Sequence, residues 1–503
     1  MQQPHRESLD ATIGRIKRNS IMLPDFQRKF VWTEEEKQKK LVASVLTKLP
    51  VGSILLLKSQ NVQDYSCKQL GSKETISSSN LPSGPVEFLL DGQQRMTVLS
   101  NVFSDVIFQL TPSPKDLIAP TALRRRFFLL LPKYNTPCAD HFGVKCLDFP
   151  LQNPDSDEPN FLTQDILPFI EILPFHPAKD NGKCYNPYSR PIRTMLQQLI
   201  SFCTRADDPW VRVPLFLLVE NEQLSLNHTT LANILQTIAE DVQRAKQYEL
   251  KELFSENHFD KAKEFIVSNL TKNIYQEYFD ENSFQKSVDE ICQLFLEAIH
   301  TQGTAWSNKM SSYLRSCVSE INLSQISLNE SQRARAIDIY ENLNRGGVSL
   351  DIFDLIMARV AQVTQEPFYK RLEKNISAGT NYPQSLIRST LVKKSFQSLR
   401  QRQQYHASEA VECFNSEKNE FPKVYLDSFL NVLALICYKD EYWDNDGFSV
   451  EHLKRQKKLE LTARQINNCC EQCCTAIDRA CFFFQARCGI RNIKEINYTL
   501  IIS

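Results

Sequence analysis

The sequence predicts an α+β protein, mainly α, with a small α/β module at the N-terminus followed by a large helical region. Three observations predict it. Glycine is scarce, 13 of 503 residues against a usual share of about 7%, which disfavours glycine-rich β architectures. Apolar residues spaced by three and four recur from Leu231 onward. The front of the chain instead alternates short apolar runs with amphipathic stretches, reading strand, helix, strand, strand, tight turn, helix.

Each element follows from its residues. Leu9, Ile13 and Ile16 predict a short helix between Ser8 and Ser20, and Ile21-Met-Leu-Pro24 is an extended entry closed by proline. Thr33 as N-cap, with Glu36 three residues on, predicts a capping box. The apolar face Leu41, Val42, Val45, Leu46, Leu49 continues that helix to Pro50. Val51–Leu57 and Val86–Leu90 are strand-like runs separated by a polar excursion, and Met96, Val98, Leu99 and Phe103 mark a buried helix directly after Asp91-Gly92. Between about 104 and 325 the signal weakens, with a run at Arg124–Leu131 and a Pro/Asp/Asn-rich loop near 150–159. From Ser331 to Leu343 a helix is predicted, broken by Asn344-Arg-Gly-Gly347 and resumed from Ser349 to about Ala361. The expected units are 1–110, 111–330 as accessory or inserted structure, 331–365 as a helix-turn-helix segment completing the N-terminal domain, and 366–503 as a helical C-terminal region.

Composition narrows the function classes. With 42% hydrophobic and 23% charged residues the chain is globular rather than disordered. The balance of 59 Lys plus Arg against 59 Asp plus Glu supplies no overall field for phosphates, so any nucleic-acid binding must come from local patches. No run approaches the roughly 18–20 apolar residues of a membrane span, and Met1–Glu7 does not read as a secretory leader, so the expectation is a cytoplasmic protein without membrane contact. The 15 cysteines, an odd number, are then expected as free thiols.

The most informative stretch is Phe88-Leu-Leu-Asp-Gly-Gln-Gln-Arg-Met-Thr97. A strand that ends in glycine and enters a helix at once aims backbone N–H groups and the positive dipole end at one spot, which suits a phosphate. Gly92 permits close backbone approach, Arg95 can meet a phosphate with its planar fork, and Asp91 can hold a metal ion or orient water. Gln93 and Gln94 add neutral donors and acceptors. A plain strand-to-helix turn with a surface arginine and an aspartate cap accounts for the same residues. No G-x-x-x-x-G-K-[ST] or G-x-G-x-x-G motif is present, which excludes a standard P-loop or dinucleotide fingerprint. In Leu23-Pro-Asp-Phe-Gln-Arg-Lys-Phe-Val-Trp32, Gln27 and Arg28 belong to no amphipathic pattern and are available to a site, and Trp32 can stack on a base or fill the core.

Together these stretches carry a resemblance. Ile21-x-x-Pro-x-Phe-Gln-Arg-x-Phe-x-Trp32, the helix ending Leu49-Pro-Val-Gly52, Leu89-Leu-Asp-Gly-Gln-Gln-Arg95, and Ile339-Tyr-Glu-Asn-Leu-Asn-Arg-Gly-Gly-Val-Ser-Leu-Asp351 resemble the N-terminal module of GmrSD-type restriction endonucleases, a ParB/sulfiredoxin-like fold. The resemblance implies a nucleotide-binding and hydrolysing module that senses or regulates cleavage of foreign, often modified, DNA. It implies Asp91, Gln94 and Arg95 as catalytic residues and Gln27, Arg28, Gly92, Gln93, Asn344 and Arg345 as nucleotide-binding ones. It also implies a nucleoside triphosphate with Mg²⁺ or another divalent metal held partly by Asp91, DNA as partner, and an oligomer.

Departures from that pattern matter as much. Family members of full length carry a C-terminal HNH nuclease module, whose metal site needs clustered histidines. Here the eight histidines (5, 141, 176, 228, 258, 300, 406 and 452) are scattered singly. Nuclease activity is therefore expected from a separate partner subunit or a module missing downstream. Cys470 and Cys474 are one helical turn apart, and Cys474, Cys481 and Cys488 recur every seven residues, a stripe rather than the convergence zinc requires. They are expected as small buried hydrophobes. Basic clusters at Arg124–Arg126, at Lys393, Lys394, Arg400 and Arg402, and at Lys454–Lys458 are the first candidates for DNA phosphate contacts, against the usual reading of solvated helix faces. The expected function is the NTP-hydrolysing subunit of a prokaryotic restriction or anti-phage system. Direct DNA nicking in the same pocket and a non-catalytic DNA-binding scaffold are the alternatives.

Overall fold

In the computed structural model the described residues are 5–24, 30–59, 67–71, 85–104, 123, 125–150, 161–174, 201–220, 227–329, 332, 339, 352–360, 368–378, 413, 421–439, 450–488, 490 and 492–495. They form an α+β, mainly helical structure with two sheets. The first sheet has six strands: β1 (His5–Ser8), β2 (Ile21–Pro24), β3 (Ser53–Ser59), β4 (Cys67–Lys68), β5 (Val86–Asp91) and β9 (Asn322–Leu328), in the order β1-β9-β3-β5-β2-β4. β5 lies at its centre, antiparallel to β3 with Leu56 opposite Leu89, and parallel to β2 with Met22 opposite Phe88. Its run Val-Glu-Phe-Leu-Leu-Asp buries Val86, Phe88, Leu89 and Leu90, the pattern of a strand covered on both faces.

Helices α1 (Leu9–Lys17), α2 (Glu35–Leu46) and α3 (Gln93–Phe103) pack together with this sheet through Leu9, Ile13, Val42, Leu46, Met96, Leu99 and Phe103. The expected capping box on α2 is absent. The N-cap is Glu34, without a side-chain cap bond, because the preceding backbone is engaged elsewhere. Arg125 donates to the Thr33 carbonyl at 3.0 Å, and buried Gln38 donates to the Trp32 carbonyl at 2.6 Å.

The same core continues through a second, antiparallel sheet, β7 (Ile170–Pro174), β6 (Arg125–Pro132), β8 (Trp210–Pro214), with β6 central. It also takes in the long helices α4 (Asn227–Ser255) and α7 (Val288–Ser319), which pack along each other and bracket α5 (Phe259–Asn269) and α6 (Lys272–Tyr278) in sequence. α7 begins with a true capping box, Ser287 and Glu290 exchanging hydrogen bonds. Tyr313 ties α7 to α2 by donating to the Leu46 carbonyl at 2.5 Å.

β9 then returns the chain to the first sheet, between β1 and β3, where sequence periodicity indicated no strand. A second core is built from α8 (Ile352–Val360), α9 (Phe368–Ala378), α10 (Lys423–Cys437), α11 (Arg455–Glu460) and α12 (Ala463–Phe483), around Phe368, Leu372, Tyr425, Phe429, Cys470, Cys474 and Ile477. No described helix is long and apolar enough to cross a membrane.

Candidate functional site at the β5–α3 junction

The central strand leads straight into the candidate site. β5 ends at Asp91, Gly92 is the N-cap of α3 with φ +91°, and α3 starts at Gln93. A Cβ at Gly92 would fall 2.8 Å from Ile54 Cγ2 of β3, so both the left-handed backbone and the contact with β3 demand glycine. As a cap, glycine brings no side-chain acceptor to the first-turn N–H groups of α3, which keeps that helix end suited to an external anion.

Arg95 turns back from the first turn of α3 onto the chain that enters β3. Its Nη1 donates to the Val51 carbonyl at 2.8 Å and its Nη2 to the Ser53 carbonyl at 2.7 Å. The guanidinium lies across Gly52 (φ +94°), where a Cβ would sit 1.7 Å from Nη1. Asp91 Oδ2 stands 3.7 Å from Nη2, both side chains partly exposed. Two of the five donors of the arginine are thus fixed by backbone carbonyls. The group is held in place beside the helix N-terminus.

Gln94 is buried, and its Oε1 accepts from the backbone N–H of Val31 at 2.8 Å and of Trp32 at 3.3 Å. It staples the chain that follows residues 25–29 to α3. Gln93 is buried beside it. Trp32 is partly buried against the core, with the Lys37 ammonium 4.9 Å from its ring centre, so core filling is at least part of its role. Gln27 and Arg28, and Asn344, Arg345 and Gly346, lie outside the described residues. The geometry therefore brings together Asp91, Gly92, Gln93, Gln94 and Arg95. It adds Val51, Gly52 and Ser53, which sequence reasoning had not placed in the site. The signals for them were the Leu49-Pro-Val-Gly52 stretch of the family resemblance and its glycine in a chain poor in glycine.

Among the described residues no group of three or more His, Cys, Asp or Glu side chains could hold a metal ion. Asp91 offers one carboxylate, which matches Mg²⁺ bound jointly by a protein oxygen, substrate phosphates and water rather than a complete protein cage.

A family model described as the GmrSD restriction endonuclease N-terminal domain matches residues 10–361. The chain belongs to this family. No curated protein matches it. The GmrSD match runs from the second residue of α1 to the residue after α8, taking in the first sheet except β1, the second sheet, the long helix pair and the Asp91–Arg95 junction. Membership ties the chain to restriction endonucleases, a family that acts on DNA.

The basic clusters that lie in the described residues have neighbours of their own. Arg125 is spent on the Thr33 carbonyl and on Glu35 at 3.3 Å. Arg126 is buried, with its guanidinium 4.4 Å from the Phe216 ring centre. Lys454 pairs with Glu451, Lys457 with Glu460 at 2.8 Å, and buried Lys458 donates to Asn431. Arg125, Arg126 and Lys458 are thus engaged by acceptors or the core, whereas Lys454 and Lys457 stay exposed in surface ion pairs. Arg124, Lys393, Lys394, Arg400 and Arg402 lie outside the described residues.

Proposed function

We propose that this GmrSD-family chain is the NTP-binding and NTP-hydrolysing subunit of a DNA restriction system, acting with a nuclease supplied by a partner subunit. The observation that carries the reading is the glycine-capped junction at which Asp91, Gln94 and Arg95 gather around the N-terminus of an 11-residue helix. Nucleotide phosphates seat on the first-turn N–H groups of α3. Arg95, already fixed on Val51 and Ser53, turns its remaining donors to the phosphate oxygens without reorganising, the condition under which such a group stabilises developing charge.

A divalent ion, when bound, neutralises phosphate charge, with Asp91 as its protein ligand. Gln94 holds the chain at Val31 and Trp32 against α3, and the family resemblance supplies Gln27, Arg28, Asn344 and Arg345 as the further nucleotide-binding residues. Hydrolysis then switches the helical C-terminal region between DNA-bound and free states in an oligomer.

The test is phosphate release from ATP, GTP, CTP and UTP with Mg²⁺, with and without modified and unmodified DNA, for wild type, Asp91→Asn and Arg95→Lys. Lysine keeps the charge but loses the fork. Turnover with one nucleotide is expected, falling on the order of 10²–10³-fold in Arg95→Lys, as for loss of a charge-stabilising donor. Turnover that survives in both variants removes the junction from catalysis. Nicking of the same DNA without any partner would replace the regulatory reading with direct cleavage.

A further inference from the structure

The C-terminal core carries a second chemical cluster, outside the residues matched to the GmrSD domain. Helix α12 places Cys470 and Cys474 on the face that meets α9 and α10. Donors from three helices converge on the Cys474 sulfur. Tyr425 of α10, fully buried, has its hydroxyl 3.8 Å away. Asn375 of α9 donates from Nδ2 at 3.9 Å and reaches Cys470 Sγ at the same distance. Cys470 itself hydrogen-bonds to Cys474 from one turn earlier. One turn before Asn375, Arg371 is anchored on Asn467, by Nη1 to Oδ1 at 2.6 Å and by Nη2 to the backbone carbonyl at 2.8 Å. Its positive charge acts on both sulfurs.

Two buried thiols elsewhere in the protein give the contrast. Burial pushes Cys203 and Cys317 up to about 12. Cys474 is held below its ordinary value although only 5% exposed, because the hydrogen bond from Cys470, with those from Tyr425 and Asn375 and the Arg371 charge, outweighs burial. Cys413, Cys473 and Cys481 add further thiols to this core, and one turn beyond Cys474 the same helix carries the buried side chain of Asp478.

We propose that Cys474 is a thiolate built to react with hydroperoxides, and that Cys470 is its resolving thiol. In the first step the Cys474 thiolate attacks one oxygen of hydrogen peroxide. The O–O bond breaks, the sulfur is oxidised to sulfenic acid, and hydroxide leaves. In the second, the Cys470 sulfur attacks the sulfenic sulfur, the S–O bond breaks, and the Cys470 proton departs with the hydroxyl as water, leaving a disulfide. Residues four apart on a helix have Cα atoms about 6 Å apart, inside the range of about 4.4–6.8 Å that disulfides span. Closing the bond removes the anion that Tyr425 and Asn375 surround, and so loosens α9 and α10 against α12.

The experiment treats the full chain with hydrogen peroxide in the presence of dimedone and reads every cysteine by peptide mass spectrometry, with fragmentation to assign the site. Cys474 is expected to be trapped first. Without dimedone a Cys470–Cys474 disulfide forms, and in Cys470→Ser the Cys474 adduct accumulates instead. Tyr425→Phe keeps the packing and removes one donor. It should slow trapping at pH 7 by up to about tenfold and move the pH–rate profile upward, the effect of about one pKa unit on thiolate fraction. Asn375→Thr should do the same at a partly buried position. Trapping at Cys474 no faster than at Cys203 or Cys317, trapping confined to exposed Cys146 and Cys488, or unchanged pH–rate profiles in both variants would each overturn the proposal.

Discussion

At the scale of single residues, Arg95 and Gly52 form one device. The arginine bonds the carbonyls on either side of the glycine, and the glycine has no Cβ to obstruct it. Gly52→Ala would place a carbon on the Nη1 position and demand a positive φ from alanine. The expected loss is about 1–3 kcal/mol in urea denaturation, together with the phosphate-release defect of Arg95→Lys. Gly14→Ala is the control. Gly14 sits inside α1 with only the Arg18 side chain near the new carbon, at 3.6 Å, so it should stabilise by about 0.5–1 kcal/mol. A Gly52→Ala protein with full turnover would show that Arg95 does not act from its cradle. Gly92 and Arg95 were legible because strand, glycine and helix follow one another directly in sequence. Gly52 was not, since Val51 and Arg95 are 44 positions apart and only the folded sheet brings them together.

At the scale of elements, strands β3 and β5 and helix α3 were readable because their apolar runs are continuous. β1 and β9 were not. β1, His-Arg-Glu-Ser, has no apolar side chain, and the alternation of β9 is broken by Gln325, which is buried yet polar. The reason is an ionic network. Arg15 of α1 pairs with Glu7 of β1 at 2.9 Å and with Glu87 of β5, while Gln325 donates to Glu7 at 2.6 Å and to Thr12 at 3.1 Å. Burial pushes the Glu7 carboxyl up, but the bonds from Gln325, Arg15 and Thr12 and the charge of Arg15 hold it below 4.5. A depressed carboxyl contributes stability above its unfolded value and loses it as pH falls through the folded one. Arg15→Met strands two partly buried carboxylates and should cost about 1–3 kcal/mol at pH 7, with the gap to wild type narrowing below pH 4.5 as Glu7 protonates. A gap independent of pH would mean that the network is packing alone.

At the scale of the whole molecule, charge is balanced at zero and the exposed Lys454 and Lys457 are each paired with a neighbouring glutamate, so DNA affinity should depend little on them. Lys454→Ala with Lys457→Ala is expected to leave the salt dependence of DNA binding unchanged, whereas a log–log slope smaller by about one per residue would make them phosphate contacts. One buried ammonium lacks a hydrogen bond among the described residues. Lys246 of α4 is fully buried in the junction with α7 and the 133–149 segment, and its Nζ has no hydrogen-bond partner among the described residues. Burial lowers it from 10.5 to about 8, against the opposing pull of Cys146, Asp140 and Glu249. Between those values the unfolded chain binds the extra proton and the folded chain does not, so stability rises with pH across that window and the full penalty is present below it. Lys246→Met, close in volume and without the charge, should therefore stabilise the protein at pH 7 by on the order of 2–3 kcal/mol. The gain should shrink steadily from pH 8 and nearly vanish by 10.5. Urea unfolding followed by tryptophan fluorescence reads this directly, since Trp306 of α7 is buried in the same core. A gain that stayed constant from pH 7 to 10.5 would show that methionine merely packs better, and an outright loss would show that the ammonium has an acceptor holding it in place.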